Sequence, residues 1–172
     1  MEIRLGICTL RPWRMSDEDA LARHANNRNI WRNLRDAFPH PYGNLDAVQW
    51  LAKHIGVEPV RSFAIDYQRE LCGSIGVFPL DDVHRRSAEI GYFVAEPFWG
   101  RGIATEAVRG ITAYAFDTIP ELVRIQAGVF EWNPASMRVL EKAGYEREAL
   151  LRQNIWKDGT LMDSVQYAKL RR

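Results

Sequence analysis

The stretch EPFWGRGIATEA, residues 96–107, places two glycines, one arginine and the small residues Ala104 and Thr105 where strand-forming residues give way to a helical run. So little side chain leaves backbone N–H groups bare. Bare amides at a helix start attract anions, helped by about half a positive charge from the helix dipole. Gly100 and Gly102 permit the bend and let a ligand approach the backbone, and Arg101 adds a cation at the rim. A pyrophosphate fits this description, and so does a plain strand-to-helix turn with no ligand. Two phosphate loops are excluded by spacing. The dinucleotide fingerprint needs a third glycine where Thr105 stands, and the Gly-Lys-Ser/Thr of a P-loop is absent.

Two other segments carry groups capable of chemistry. Glu89, in AEIGYFVA, alternates with Gly91 and Phe93 on one face of a strand and has Ala88 and Ile90 beside it. A partly buried carboxylate is raised toward useful basicity; a solvated residue or a structural ion pair is the plainer alternative. NPASMRVLEKAG holds a helix start and stop in one phrase, with Asn133 as N-cap, Pro134 in the first helical position and Gly144 just past the end. The serine of CGSIGV does not sit in Gly-x-Ser-x-Gly, which argues against a hydrolase elbow. The four histidines and the two cysteines show no shared ligand spacing, so no metal is expected.

The elements that must position these groups read as follows. Ile3 to Trp13 is a strand, and Ser16 with Asp19 forms a capping box opening a short helix. NNRNIW is helical and is stopped by Pro39 and Pro41; Asn44 caps a further run with Leu45, Val48, Leu51, Ala52 and Ile55 at helical spacing. SFAIDYQ and ELCGSIGVFPL form a hairpin about Gln68–Arg69–Glu70, and SAEIGYFVA is the next strand. A helix runs from Ile103 to about Phe116, followed by the strand VRIQAGVFE, the helix after Asn133, and two last strands about the Asp158–Gly159 turn. Strands and helices alternate only in the second half. That implies a mixed sheet covered by helices rather than a doubly wound parallel one.

The 172 residues, 47% apolar and 26% charged, form one ordinary globular domain, residues 1–172. A net charge of +1 gives no field for nucleic acid or an acidic membrane, and no window approaches the ~20 apolar residues of a membrane span. The N-terminus lacks the pattern of a signal peptide, and Cys8 and Cys72 read as buried thiols in a reducing compartment; the expected location is the cytoplasm.

AEIGYFVAEPFWGRGIATEA followed by NPASMRVLEKAGY resembles the GNAT superfamily of N-acetyltransferases, and more narrowly its RimJ/RimL-like branch, over nearly the whole chain. The superfamily's acetyl-CoA loop, Gln/Arg-x-x-Gly-x-Gly/Ala, is matched by Trp99-Gly100-Arg101-Gly102-Ile103-Ala104, with Trp99 as the departure at its head. The resemblance implies an α/β (α+β mixed) fold with a mostly antiparallel seven-stranded sheet, about four flanking helices and strands splayed at the cofactor cleft. It implies acetyl-CoA as cofactor and an amine acceptor, a protein N-terminus or a small molecule such as a polyamine, an antibiotic or an amino acid. A catalytically idle acyl-CoA binder is the reading from another class. No nucleic-acid or membrane partner is implied, and the chain is a monomer or a homodimer.

By the same resemblance, backbone amides around Tyr92, Phe93 and Val94 hold the pantetheine arm, Gly100 to Thr105, Ile103 and Ala104 included, hold the pyrophosphate, and Trp99 at the head of the loop also contacts the cofactor. Asn133 and Ser136 face the thioester from the other side, with Ser136 meeting the thiolate and Glu89 acting as base, directly or through water. The branch's acceptor cleft has one wall at IWRNLRDAFPHPY, where Trp31, Leu34, Arg35, Phe38 and Tyr42 line substrate or merely pack in the core. Asp163 holds a cationic substrate or pairs with an arginine, and Arg85–Arg86 and Arg171–Arg172 are read as solvated.

Overall fold

A computed structural model describes residues 1–171. The strands are β1 (Ile3–Arg4), β2 (Thr9–Arg11), β3 (Ser62–Tyr67), β4 (Glu70–Pro79), β5 (Ser87–Val94), β6 (Arg124–Phe130), β7 (Glu146–Lys157) and β8 (Thr160–Leu170). The helices are α1 (Glu18–Ala25), α2 (Arg28–Trp31), α3 (Asn44–His54), α4 (Ile103–Thr118) and α5 (Pro134–Lys142). One sheet holds the strands in the order β1-β2-β3-β4-β5-β6-β8-β7. Every neighbouring pair is antiparallel except β5 and β6.

Local chemistry explains much of this layout. Gln68 and Arg69 take φ of 52° and 69°, closing a two-residue turn with Tyr67 opposite Glu70; Asp158 and Gly159, at 52° and 72°, do the same between Lys157 and Thr160. Paired left-handed residues match the twist of the strands they join. The central strand β4 is buried from Leu71 to Val77, as a near-continuous run of apolar and small residues requires. One face packs Phe63, Ile75, Val77, Ile90 and Ile125 against Val108 and Ile111 of α4 and Leu140 of α5. The other packs Ala64 and Leu71 against Leu21 and Ala25 of α1 and Ala47 and Leu51 of α3.

The sheet has eight strands where seven were expected. The stretch from Ile3 to Trp13 folds back on itself after Leu5, whose N–H donates to the Cys8 carbonyl at 2.9 Å, so β1 pairs with β2. There are five helices rather than about four because Asn27 accepts from the amides of Asn29 and Ile30 and starts α2 as a separate element. Two caps also differ from the expectation. Ser16 lies inside a 3₁₀ turn, Met15–Asp17, where Asp17 accepts the Arg14 N–H at 2.8 Å. The α3 start is held by Asp46, which accepts the Gly43 N–H at 2.8 Å, while Asn44 donates to Glu18 and Asp19.

Arg11 ties the first strands to that turn. Its guanidinium forms two 2.8 Å bonds to Asp17 and one of 2.6 Å to Asp66 on β3, with Arg11 and Asp17 each 5% exposed. Cys8 and Cys72 are buried and free, and burial pushes their thiols up to about 11 and about 12. Removing one partner of a buried ion pair leaves an uncompensated charge at a cost of roughly 3–5 kcal/mol. Arg11→Ala is therefore expected to lower the unfolding free energy by about 3 kcal/mol, read as a drop in the urea midpoint at unchanged slope.

Candidate active site

The loop after β5 begins with a 3₁₀ turn, Glu96–Phe98, and Trp99 folds its indole N–H back onto the Val94 carbonyl at 2.6 Å. Gly100 and Gly102 take φ of 76° and 79°. A Cβ on Gly100 would meet nothing within 4 Å, and one on Gly102 only Ile7 at 3.7 Å. Backbone conformation, not crowding, is what requires glycine at both positions. The first amide to find a backbone acceptor beyond this loop is Glu106, bonded to the Gly102 carbonyl at 3.1 Å. Among the described residues the N–H groups of Gly100 to Thr105 donate to no backbone carbonyl, so six consecutive amides stand at the positive end of the 16-residue α4. The Arg101 guanidinium leans over the rings of Tyr67 and Phe98, at 5.6 and 5.9 Å.

Beside this loop the sheet comes apart. β5 and β6 pair only at Ser87 with Arg124, Ala88 with Ile125 and Glu89 with Gln126. Beyond Glu89, β5 stays on β4 as far as Val94, while β6 stays on β8 as far as Phe130. The facing edges of the two strands border a cavity of about 1110 Å³. Glu89 to Val94, Trp99 to Thr105, Asn133 and Ser136 all line it.

Strand alternation sorts the chemistry. Ile90, Tyr92 and Val94 pack on the α4 face, whereas Phe93 packs on the α1 and α3 face, the side it shares with Glu89. Glu89 is half-buried and forms no salt bridge among the described residues. On the α4 face, the Tyr92 phenol and the Ser136 hydroxyl are 2.7 Å apart. Burial pushes the Tyr92 phenol up to about 12, with the serine bond opposing that rise. Asn133 caps α5 as expected, accepting the Ser136 amide at 3.3 Å ahead of Pro134. Tyr145 is buried with its phenol 2.7 Å from Thr112 and does not line the cavity.

On the other face the cavity reaches Leu34, Arg35, Phe38 and Tyr42. The Phe38 ring lies 5.0 Å from Tyr42 and 5.7 Å from Phe93. Trp31, expected with this group, does not line the cavity. Its ring is instead engaged by the Lys157 ammonium at 3.8 Å and by the Arg28 guanidinium at 5.4 Å, because the β7–β8 turn reaches across to α2. Lys157 is 2% exposed and bonds Asp36 at 2.7 Å, and Arg28 pairs with Asp158.

Three further readings are corrected or completed. Asp163 accepts the Gln153 N–H at 2.8 Å and steadies an irregular step of β7; among the described residues it pairs with no arginine, and it does not line the main cavity. Arg85 and Arg86 are exposed. Arg171 is not simply solvated: it donates to the carbonyls of Phe116, Ile119 and Leu122 and closes the end of α4; Arg172 lies outside the described residues. Sequence reasoning missed Trp50, Arg138 and Lys142, which also line the cavity; the four-residue step between the last two, one helical turn of α5, was the available signal.

Among the described residues no group of three or more His, Cys, Asp or Glu could hold a metal ion, and no helix is long and apolar enough to cross a membrane. Residues 8–146 match the family model described as an acetyltransferase (GNAT) domain. The uncharacterized N-acetyltransferase YoaA of Bacillus subtilis is 41% identical over 100 residues, 58% of this chain. The matched stretch is 55% of YoaA, so the chain spans about half the length of that curated relative. The spermidine N(1)-acetyltransferase of Vibrio cholerae is 30% identical over 157 residues, 90% of this chain and 88% of that protein. The structure of Mycobacterium smegmatis RimJ in complex with CoA-disulfide superposes with a TM-score of 0.83 at 27% identity, covering 99% of this chain and 86% of that one.

The latch on Trp31 separates two costs. Lys157→Met keeps the stem on the ring and leaves only the exposed Asp36 alone, so it is expected to cost under about 1 kcal/mol. Asp36→Ala leaves a buried ammonium with the ring as its one partner and is expected to cost about 2 kcal/mol, both read from thermal unfolding.

Proposed function

The chain belongs to the GNAT acetyltransferase family, and we propose that it transfers the acetyl group of acetyl-CoA to a primary amine by direct attack in a ternary complex, the acceptor being the α-amine of a peptide or protein N-terminus. The observation that carries this reading is the early end of β5–β6 pairing, which joins the bare amides of Gly100 to Thr105 to the aromatic wall at Phe38 and Tyr42 through one cavity. At about 1110 Å³ it exceeds the ~300–1,000 Å³ of ordinary small-molecule sites and has room for two substrates. The proposed binding residues are those amides for the diphosphate, the free edge of β5 at Tyr92 to Val94 for the pantetheine, and Asn133 and Ser136 opposite.

Acetyl-CoA, when bound, supplies the thioester carbonyl that the amine attacks. The chain's own groups divide the remaining work. Glu89 takes the proton that the attacking nitrogen gives up. A step of ~3.3 Å per residue puts Glu89 about 10 Å along the strand from Tyr92, so the proton passes through water. Free N–H groups on the β5 edge serve the oxyanion.

Charge on the acceptor side favours a single amine. Arg35 and Lys53 line that half, and its carboxylates are Asp46, already held by the Gly43 N–H, and Glu89. Two carboxylates balanced by two cations leave that half without the net negative charge a polyamine would need. An α-amine, with a reference pKa of ~7.7–8.0 against ~10.4 for a lysine-type amine, also needs less help to be neutral. Likeness to the spermidine enzyme supports the competing polyamine reading.

Thiol release from acetyl-CoA, assayed with short peptides bearing free N-termini and with spermidine, decides between them. Peptides are expected to turn over at least 10-fold better in kcat/KM; the reverse order overturns the peptide reading, and no release with any amine overturns the transferase reading. Glu89→Gln is expected to lower kcat about 100-fold with KM for acetyl-CoA unchanged. Gly102→Val, which forces a β-branched residue toward positive φ, is expected to weaken CoA binding in calorimetry at least 10-fold while the Glu89 variant binds it normally.

A further inference from the structure

We infer that Tyr92 is a positioning residue for Ser136: its phenol donates to the serine oxygen and so directs the serine's own proton at the sulfur of the leaving thiolate. The inference rests on the transferase reading above and assigns to the Tyr92 side chain a role separate from that of its backbone.

The geometry has three parts. The two hydroxyl oxygens are 2.7 Å apart, and each is the other's only side-chain partner among the described residues. Both residues line the cavity where β5 and β6 part. Ser136 stands in the first turn of the nine-residue α5, with its backbone fixed by the Asn133 cap.

Two hydroxyls in one hydrogen bond hold two protons and use one of them. The phenol is the stronger acid of the pair, so it donates and the serine oxygen accepts. The serine proton is left over. It cannot point back at Tyr92, and the remaining direction is the cleft. Without the phenol the serine hydroxyl would rotate freely, and part of its population would donate to water.

The same chemistry says what the pair does not do. A phenol pushed up to about 12 by burial, or an aliphatic alcohol, does not give its proton to a thiolate whose acid has a reference pKa of about 8.5. The step therefore balances without transfer from the pair. The C–N bond forms, the C–S bond breaks with its electron pair leaving on sulfur, and the amine proton goes to Glu89 through water. The anionic sulfur departs with a hydrogen bond from Ser136 and is protonated afterwards from solvent. The N-terminal end of α5 favours that anion further.

The test is a double-mutant cycle on the full chain, with Tyr92→Phe, Ser136→Ala and both together, measured by thiol release with acetyl-CoA and the best peptide acceptor. Phenylalanine keeps the buried ring, and melting temperatures for all three variants check folding. Each single variant is expected to lower kcat about 10-fold, the size of one lost hydrogen bond, with KM for both substrates unchanged. The double variant is expected to be no slower than the slower single one. Effects that multiply, a Tyr92→Phe rate equal to wild type, or a loss confined to KM overturns the assignment while leaving the transferase reading intact. A wild-type protein that releases no thiol with any amine overturns that reading, and the assignment with it.

Discussion

Everything in this molecule's cleft depends on two parallel strands that stop pairing after three residues. β5 and β6 begin as neighbours and then follow different partners, β5 keeping to β4 and β6 to β8. Splitting a sheet is costly because each strand then presents backbone N–H and C=O groups to no partner. The structure limits that cost on one strand edge through Trp99, whose indole N–H takes the Val94 carbonyl. The remaining polar edge is what a ligand with amide groups of its own would use. The same separation lets one cavity open on both faces of the sheet.

Alternation along β5 then assigns the groups without further machinery. Successive side chains of a strand point to opposite faces, so Glu89 shares its face with Phe93, Phe38 and Tyr42, and Tyr92 shares the other with Ser136. On the proposed reading, the proton leaving the nitrogen and the charge arriving on sulfur are handled on opposite sides of the sheet. A carboxylate and a developing thiolate would repel if they shared a face, and the strand keeps them apart. Two helix N-termini complete the arrangement: α4 presents the amides of its glycine loop, and α5 carries Ser136 in its first turn.

The sequence was most legible where local chemistry decides. Gly100 and Gly102 are left-handed, Asn133 caps and Asp158–Gly159 turns, because each depends on the preferences of one or two residues. The order of strands and helices followed from periodicity. What could not be read was set by contacts distant in sequence. By resemblance Trp31 belonged to the aromatic wall or to the core, and nothing local showed that the ammonium of Lys157, 126 residues away, would sit on its ring. Asp163 read as a carboxylate for a cationic substrate or for an arginine, and it accepts a backbone N–H at an irregularity in the neighbouring strand. The break of the first strand after Leu5 and the role of Arg171 at the end of α4 likewise depend on tertiary neighbours. Tyr92 was legible as a backbone position and not as a phenol, since nothing local places a serine 44 residues downstream against it.

The wall bearing Phe38 and Tyr42 is short of regular structure: α2 has four residues and is followed by turns as far as α3. Such a segment has few backbone bonds of its own, so its position is set by what grips its ends. One grip is the β7–β8 turn, through Lys157 with Asp36 and Asp158 with Arg28. The other is Glu96, which accepts from Asn27 and Asn29, and those bonds hold its carboxyl below the usual range. Glu96 opens the 3₁₀ turn that leads into Gly100. The segment that bears Phe38 and Tyr42 and the glycine loop therefore meet at one carboxylate. Because Glu96 and Asn29 are exposed and Asn27 is only half-buried, the bonds are individually weak. Their value lies in fixing direction: α2 cannot swing away from the cavity without releasing the loop that precedes α4.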